Sequence, residues 1–196
     1  MNKQDLLKSI TDTAYNVGFG AKKHFATYDI VEKIPGLIGF ISMAIGIFAL
    51  YLDSLSSKTV SALLAVFGVI GMYISMYNSE KKQYKEKGIL LTQLFNELKT
   101  LYYRVKAFNG NDLSQEQQEL QSIESRYYAN AITKQIMFSD WYAHMKFFWQ
   151  HQIDWIDEQK HFKLWRDKIP FSAYVAFGII VITVIVYVIK EVVPCL

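Results

Sequence analysis

The chain has 196 residues, a formal net charge of +3 and one cysteine, and 15% of its residues are aromatic. The single cysteine, Cys195, excludes an intramolecular disulfide framework and a cysteine-based metal site. The net charge is too small to indicate nucleic-acid binding by the chain as a whole, so local clusters of charge need separate consideration. The length allows one membrane unit and one modest module outside the membrane.

Residues 1–33 form an N-terminal segment in which apolar residues recur near helical spacing. The pattern predicts an amphipathic helix that ends at Gly18 and Gly20, with apolar positions at Leu6, Leu7, Ile10, Ala14 and Val17. From Lys22 to Lys33, aromatic and aliphatic residues are mixed with charged ones. This second part either lies along the lipid headgroups or packs on the cytosolic module, and the sequence leaves both alternatives open.

Residues 34–77 contain two apolar runs without a charged residue, at 34–52 and 60–77. At about 1.5 Å per helical residue, each run spans roughly 27–29 Å, which is close to the roughly 30 Å hydrocarbon core of a bilayer. A short polar connection returns the chain at once, so the pair predicts an antiparallel transmembrane hairpin. The alternative is a buried hairpin in a soluble protein. A third uncharged run, from Phe171 to Ile189, favours the membrane and predicts a third transmembrane helix over 169–190.

Lysine residues beside the spans predict the orientation of the chain. Several lysines follow the second span within residues 81–87, whereas the turn between the two spans carries only Lys58. The positive-inside rule therefore places the N-terminus and residues 78–168 in the cytoplasm and the C-terminus on the other side, periplasmic or external.

Small residues recur along the first two spans. Because they let helix backbones approach closely, they predict helix packing within the hairpin or between subunits around a pore. The positions are Gly39, Ser42, Gly46, Ala65, Gly68, Gly71 and Ser75.

Residues 78–168 predict an all-α cytosolic bundle of three helices. The first continues from the second span with a heptad pattern, and the second follows a turn over 109–112 and a capping box, Ser114-x-x-Gln117. The third runs from Ser139 to Lys168 and carries an aromatic stripe at a spacing of seven residues. We assign both apolar stripes to a seam between subunits, formed by Leu91, Leu94, Leu98, Leu101, Val105, Trp141, His144, Phe148, His151 and Trp155.

Two histidines of this stripe, His144 and His151, lie about 10 Å apart along a helix axis. Metal ligands on one helix usually lie three or four residues apart, so we expect no metal site within one chain. Three alternatives are left open: contact with symmetry mates in an oligomer, pH-sensitive positions in the seam, and core or interface histidines with hydrogen-bond partners.

A cluster of cations and aromatic residues is the candidate ligand site. Lysine and arginine interleaved with tyrosine can bind phosphates and stacked bases, and the alternative is an ordinary solvated face. The chain carries no motif typical of a catalytic site, so we expect neither enzyme activity nor a cofactor. The candidate residues are Arg104, Lys106, Arg126, Lys134, Tyr127 and Tyr128.

Three stretches resemble the SLATT family, whose members are bacterial membrane effectors associated with SMODS nucleotidyltransferases and SLOG domains. They are the hairpin IPGLIGFISMAIGIFALYLDSLSSKTVSALLAVFGVIGMYISMY, the helix KGILLTQLFNELKTLYYRVKAF and the tract SDWYAHMKFFWQHQIDWIDEQKHFKLWRDKIP. The similarity covers about residues 30–190, and the order of elements is most similar to the fifth subfamily. It implies a pore-forming effector of antiphage defence, controlled by a partner nucleotidyltransferase or, in some systems, a reverse transcriptase.

The residues and the resemblance together predict a homo-oligomer, which we expect to be a tetramer, in the bacterial inner membrane. It would conduct ions and depolarise the cell, causing growth arrest, when a nucleotide or short single-stranded oligonucleotide signal acts on the cytosolic helices. We expect the lipid bilayer and a nucleotidyltransferase or its product as partners, and no binding of duplex DNA. The alternatives are a non-conducting membrane adaptor or anchor for a defence complex, and a lytic pore resembling a holin.

Overall fold

The structure is a computed structural model that describes residues 2–110 and 112–192, and it contains no strand in those ranges. The predicted all-α fold is confirmed. The chain divides into two compact units, Met1–Lys160 and His161–Leu196, and Cys195 and Asn111 lie outside the described residues. The α-helices of the described residues are α1 (Lys3–Phe48), α2 (Lys58–Ser75), α3 (Lys81–Ala107), α4 (Ser114–Asn130), α5 (Ser139–Gln150), α6 (Asp154–Lys160), α7 (Leu164–Asp167) and α8 (Phe171–Val192).

Helix α1 is a single helix of 46 residues. Its predicted end at Gly18 and Gly20 is wrong, because the helix passes through both. A Cβ atom at Gly18 would lie 2.7 Å from the Phe95 ring, so this glycine allows close packing instead of ending the helix. The helix also passes through Pro35, where the first membrane span was predicted to begin. Asn2 caps its start by accepting a hydrogen bond from the Asp5 backbone N–H at 2.8 Å.

The first half of α1 is buried in a helical module outside the hairpin. It packs against α3, α5 and α6, and also contacts α4. His24, Thr27 and Val31 are among its buried residues. The structure therefore selects the second of the two alternatives for residues 22–33, packing on the rest of the chain.

Helices α1 and α2 form the predicted hairpin. A 3₁₀ turn, Asp53–Ser56, connects them, and the Ser57 hydroxyl caps α2 by accepting from the Val60 N–H at 3.4 Å. The contact between the two helices is made by half-buried residues that include Ser42, Ile45, Leu64 and Phe67. Most of the other side chains along the hairpin are apolar and exposed.

Exposure of these apolar residues distinguishes a membrane hairpin from a buried soluble one. The segments Lys3–Phe48 and Lys58–Ala107 are each long and apolar enough to cross a membrane, and only 6% of the most apolar window of each is buried inside the chain. A core helix of a soluble protein would be mostly buried. An uncovered apolar surface of this size calls for lipid or another protein surface.

The helix predicted to continue from the second span into the module is interrupted. Helix α2 ends at Ser75, and the 3₁₀ turn Asn78–Glu80 precedes α3. At this break Tyr77 is buried, with the Lys134 ammonium 4.9 Å from the centre of its ring. Short 3₁₀ stretches between helices often mark hinges. The hairpin is therefore joined to the module by one continuous helix, α1, and by one interrupted connection, α2–α3.

Helix α4 begins at Ser114, but the predicted capping box is wrong. Ser114 is the first residue of the helix, and the N-cap residue, Leu113, makes no side-chain capping hydrogen bond. The Asp112 carboxylate accepts hydrogen bonds from the Ser114 backbone N–H at 3.0 Å and from the Ser114 hydroxyl at 2.6 Å. A carboxylate at this position also interacts favourably with the helix dipole.

The third helix predicted for residues 78–168 begins at Ser139 as predicted, but it is broken into α5, α6 and α7. His151 adopts an extended conformation and ends α5. Ile153 and Trp155 follow the break and are both buried. Burial of such large side chains stabilises the fold by about 1.5–3 kcal/mol each, which offsets the helical hydrogen bonds lost at the break. His161, at a φ of 50°, begins the second unit.

Helix α8 forms over the third apolar run as predicted. Its described apolar stretch, Phe171–Tyr187, is shorter than the apolar segments of the hairpin. That α8 crosses the membrane stays a prediction.

Candidate functional site

Each of the four predicted ligand-binding cations forms an ion pair with a carboxylate of the same chain. Both arginines bind their partners in a bidentate manner, at 2.7 and 3.0 Å in the case of Arg104. Exposed pairs of this kind contribute about 0.2–1 kcal/mol each to stability, so a competing anion displaces the carboxylate at small cost. The pairs are Arg104–Glu119, Arg126–Glu97, Lys106–Glu158 and Lys134–Glu80.

The structure does not bring the four cations together. Lys134 pairs with Glu80 just before the start of α3, whereas Arg104 lies near the end of that helix. Helix α3 is about 40 Å long at about 1.5 Å per residue, so one small ligand cannot contact both. Lys106 pairs with Glu158 of α6, whereas the two arginines pair with carboxylates of α3 and α4.

Arg104 and Arg126 do share one surface, a groove between α3 and α4. This groove has a volume of about 460 Å³ and polar walls. Glu97 and Glu119, the partners of the two arginines, are part of its lining, which is formed by Gln93, Asn96, Glu97, Thr100 and Glu119. The guanidinium group binds phosphate with the same two-pronged geometry that it shows here towards carboxylate. The groove is therefore the place where a phosphate-containing ligand fits best among the predicted residues.

The two predicted aromatic ligand residues differ in exposure. Tyr128 is 73% exposed and its ring contacts that of Tyr127 with the centroids 5.2 Å apart. Tyr127 is half-buried beside Gly20 of α1, and burial raises the pKa of its hydroxyl. Only Tyr128 presents a free face on which a base can stack.

The residues assigned to a subunit seam find partners inside the chain. The five apolar residues of α3 are fully buried, and α1 is the main helix that packs against α3. His144 packs on Phe19 and Phe148, and His151 meets the Phe95 ring at 4.7 Å. A heptad pattern indicates that a helix packs on another helix, but it does not show whether that second helix belongs to the same chain or to another subunit. The residues concerned are Leu91, Leu94, Leu98, Leu101, Val105, His144, Phe148, His151 and Trp155.

Trp141 is the exception in the predicted seam, because it is exposed. It belongs to an exposed apolar stripe along α5 that includes Phe138, Trp141, Met145 and Trp149. These four residues lie on one side of α5 and its N-terminal turn, which the rest of the first unit leaves uncovered.

The glycines of the two spans do not create the contact within the hairpin. No atom lies within 4 Å of where a Cβ would stand at Gly39, Gly46, Gly68 or Gly71. Ser42 and Gly71 are half-buried beside the hairpin contact, whereas Ala65 and Ser75 are exposed with the other three glycines. These positions are open to lipid or to another copy of the chain.

A segment that the sequence did not single out, residues 131–138, ties the hairpin to the module. We call it the strap. It has no helix of its own and connects α4 to α5. His24 of α1 binds it by accepting the Ile132 backbone N–H at 3.0 Å through Nε2, while Nδ1 faces the Gly20 carbonyl at 2.7 Å. This pattern requires a neutral imidazole with its proton on Nδ1.

The strap is held from three further helical positions. The Tyr84 hydroxyl of α3 donates to the Lys134 carbonyl at 2.7 Å, and burial raises the pKa of Tyr84 to about 12. The Thr27 hydroxyl donates to the Gln135 side chain at 2.5 Å. The Met137 backbone N–H donates to the Tyr73 hydroxyl of α2 at 3.3 Å. One short segment thus contacts α1, α2 and α3 at the end of the hairpin.

Comparison with protein families gives a match over most of the chain. The model of the SMODS and SLOG-associating 2TM effector domain 6 matches residues 1–177. The match includes the N-terminal residues that the resemblance had left out, ends within α8, and corrects the expected subfamily, which was the fifth. Neither the comparison with curated proteins nor that with solved structures gave a match. The chain belongs to the SLATT family of SMODS and SLOG-associating 2TM effector domains, and it is a membrane protein.

Proposed function

We propose that this chain assembles into an ion-conducting pore in the bacterial inner membrane and depolarises it during antiphage defence. The family is a two-span effector domain of antiphage systems, which gives the chain a membrane effector role. The observation that carries the proposal further is the surface of the hairpin, which is apolar and largely uncovered by the rest of the first unit. One hairpin encloses no path for ions, so several copies, in our proposal four, have to surround one.

The open small residues support close contact between copies. Gly39, Gly46 and Gly68 let a neighbouring backbone approach, because no described residue beyond the local helix backbone lies within 4 Å of their Cβ positions. Both spans lack charged residues, so the gate would consist of apolar and small side chains. Such a constriction closes by expelling water and selects weakly among ions.

Helix α1 supports a mechanical route from the module to the pore. Its first half is buried in the module, its second half is in the hairpin, and no break separates them. A change in the packing of the module therefore moves the first span directly, while the 3₁₀ turn at Asn78–Glu80 lets α2 pivot. We propose that the module faces the cytoplasm and that α8 crosses the membrane as a third span.

Replacement of Gly68 by leucine tests the pore. We expect Gly68→Leu to abolish or strongly reduce the depolarisation that expression of the protein causes in cells, because the added side chain fills the proposed contact between copies. It meets no atom of its own chain within 4 Å of the Cβ position, so the fold of the single chain is spared. Val66→Leu, on another exposed face of α2, is the matched control. Equal depolarisation by both variants at equal expression would contradict this packing.

We propose that the controlling signal binds in the groove between α3 and α4. It would be a nucleotide or short single-stranded oligonucleotide made by a partner nucleotidyltransferase, with Arg104 and Arg126 exchanging their glutamates for phosphates. Alanine at both positions should remove control by the partner enzyme. Lys82→Ala should not, because this exposed lysine lies at the other end of α3 from Arg104. Retained control in the double variant would make the assignment wrong.

A non-conducting adaptor is the alternative that one observation favours. The exposed stripe Phe138, Trp141, Met145 and Trp149 is a surface on which a partner protein can dock. An adaptor of this kind would anchor a defence complex at the membrane without passing ions. We expect no enzyme activity from the chain in either case.

A further inference from the structure

An apolar cavity lies where the hairpin meets the strap. Its volume is about 300 Å³, and its walls come from α1, α2 and the strap. All of the lining side chains are apolar except for the hydroxyl of Tyr73, which already accepts the Met137 N–H. The lining is formed by Ile30, Ile34, Ile70, Tyr73, Ile74, Ile136, Met137 and Phe138.

The depth of this cavity is fixed by the helices that line it. Ile70 and Tyr73 belong to the last two turns of α2, and Ile34 is the first residue of the uncharged run of α1. The cavity is therefore at the boundary between the hydrocarbon core and the headgroups, on the side of the module. Met137 and Phe138 are more than 60% exposed at the same depth.

Phe138 holds an unusual conformation at this boundary. Its φ of 67° is in the left-handed region, which is unfavourable for a residue with a bulky side chain. The Tyr142 N–H donates to the Phe138 carbonyl at 3.1 Å, and Phe138 precedes the first residue of α5. The turn thus keeps an aromatic side chain at the edge of the cavity, where bulk water would disfavour it and lipid would not.

Positive charge is in excess beside the cavity. An adjoining cavity of about 350 Å³ shares Ile30, Ile34 and Phe138 with it and adds the side chains of Asp29, Lys33, Trp141 and Tyr142. Two lysines, Lys33 at 2.8 Å and Lys146, bind the single carboxylate of Asp29, so one positive charge is left over. The Lys33 side chain is 67% exposed and can turn to an anion in the headgroup layer.

We propose that the apolar cavity holds an acyl chain of an anionic phospholipid from the leaflet on the side of the module, with the headgroup phosphate on Lys33. The apolar walls, the depth, the excess lysine charge and the aromatic residues Trp141 and Tyr142 at the level of the headgroups all match this one occupant. The lipid would join the strap to α1 and α2, and so couple the membrane to the module. The inference needs only the membrane hairpin and does not depend on pore formation.

Photo-crosslinking of the full chain in lipid nanodiscs tests this proposal. The probe is phosphatidylglycerol with a diazirine on one acyl chain, compared with phosphatidylcholine carrying the same chain, and the crosslinked residues are mapped by mass spectrometry. We expect crosslinks on the cavity lining, at Ile74 or Met137. The anionic lipid should give about fivefold more of them than phosphatidylcholine, because one lysine near the membrane surface increases the affinity for an anionic lipid by about that factor. Equal labelling by the two lipids, or none on the lining, would overturn the proposal.

Two matched pairs of variants separate the headgroup from the acyl chain. Lys33→Gln should remove most of the preference for phosphatidylglycerol, whereas Lys82→Gln, an equally juxtamembrane lysine, should keep it. Ile70→Trp should fill the cavity and suppress the crosslinks on its lining, whereas Val69→Trp, which is exposed and does not line it, should not. Both substituted positions are at least 40% exposed, so we expect the two tryptophan variants to fold. Retained helical content checks this. Crosslinks between two copies through the cavity would identify another copy as its occupant and contradict the proposal.

Discussion

His24 holds the strap against α1 only while its imidazole is neutral. Burial, the largest effect, lowers the pKa of His24, and the positive charges of Lys23 and Lys87 lower it further, while the hydrogen bond to Gly20 partly opposes them. The Tyr84 ring also faces it at 6.2 Å. Protonation of Nε2 would replace the acceptor of the Ile132 N–H with a second donor, and the strap would lose this bond.

His151 responds to protons in the same direction. Burial, together with the charges of Lys22 and Lys99, lowers the pKa of His151 to about 4. The imidazole packs between the rings of Phe95 and Phe147, where a charge is poorly solvated. His151 is half-buried among aromatic rings of its own chain, and its role as a pH-sensitive position stays a prediction.

The two histidines predict that stability falls in mild acid. In the unfolded chain their pKa values return to about 6.5, so below that pH the unfolded state binds protons that the folded state resists. Their contribution to the free energy of unfolding is complete above about pH 6.5 and is lost as the pH falls through each lowered pKa, which is about 4 for His151. Denaturant unfolding of the detergent-solubilised protein at several pH values checks this.

A matched pair of variants assigns that pH dependence. His151→Gln should flatten the decrease in unfolding free energy between about pH 6.5 and pH 4, because it removes one of the two titrating groups. The neighbouring and exposed Gln152→Asn should leave the decrease as it is. Stability that does not change over this range in the unmodified protein would contradict the role given to both histidines.

At the scale of elements, two glycines of α1 should respond to alanine with opposite signs. Gly18→Ala places a Cβ 2.7 Å from the buried Phe95 ring and 3.0 Å from Phe147, so we expect a net loss of about 1 kcal/mol after the gain in helix propensity. Gly20→Ala meets its neighbours at 3.4 Å or more and should stabilise by about 0.5–1 kcal/mol. Unfolding free energies measured side by side check both, and a stabilised Gly18→Ala protein would show that the packing described for α1 and α3 is wrong.

The elements that could be predicted from the sequence are those in which apolar residues follow a regular or continuous pattern. Apolar residues at spacings of three and four, from Leu91 to Val105, predicted a packed helical face, and the structure buries that face completely. The absence of charge over 34–52 and 60–77 predicted the hairpin. In both cases the local pattern carries the information, because burial in a helix or a membrane repeats along the chain.

The elements that could not be predicted from the sequence depend on contacts between residues that are far apart along the chain. The strap has no period, and its bonds join residues far apart in sequence, such as His24 with Ile132 and Tyr84 with Lys134. The break after His151 is likewise set by the burial of Ile153 and Trp155 and not by a glycine or proline. The candidate ligand site was divided for the same reason, because Arg104 pairs with Glu119 of α4 and Lys134 pairs with Glu80 before the start of α3.

At the scale of the whole molecule, an uncovered apolar hairpin is joined to a packed helical module by one unbroken helix. The module buries the apolar face of α3 within its own chain, mainly against α1. The hairpin leaves its glycines open and its apolar side chains exposed. In our account assembly therefore takes place in the membrane, and the module regulates it through α1 and the strap.

Ion flux through proteoliposomes that contain only this protein tests that account most directly. The measurement compares empty liposomes, liposomes with the protein, and liposomes with the protein and a library of nucleotides and short oligonucleotides. We predict flux that depends on the protein and that a member of the library switches on or off. A membrane that stays tight under every condition, with protein shown to be folded and inserted, would contradict the pore and favour the adaptor.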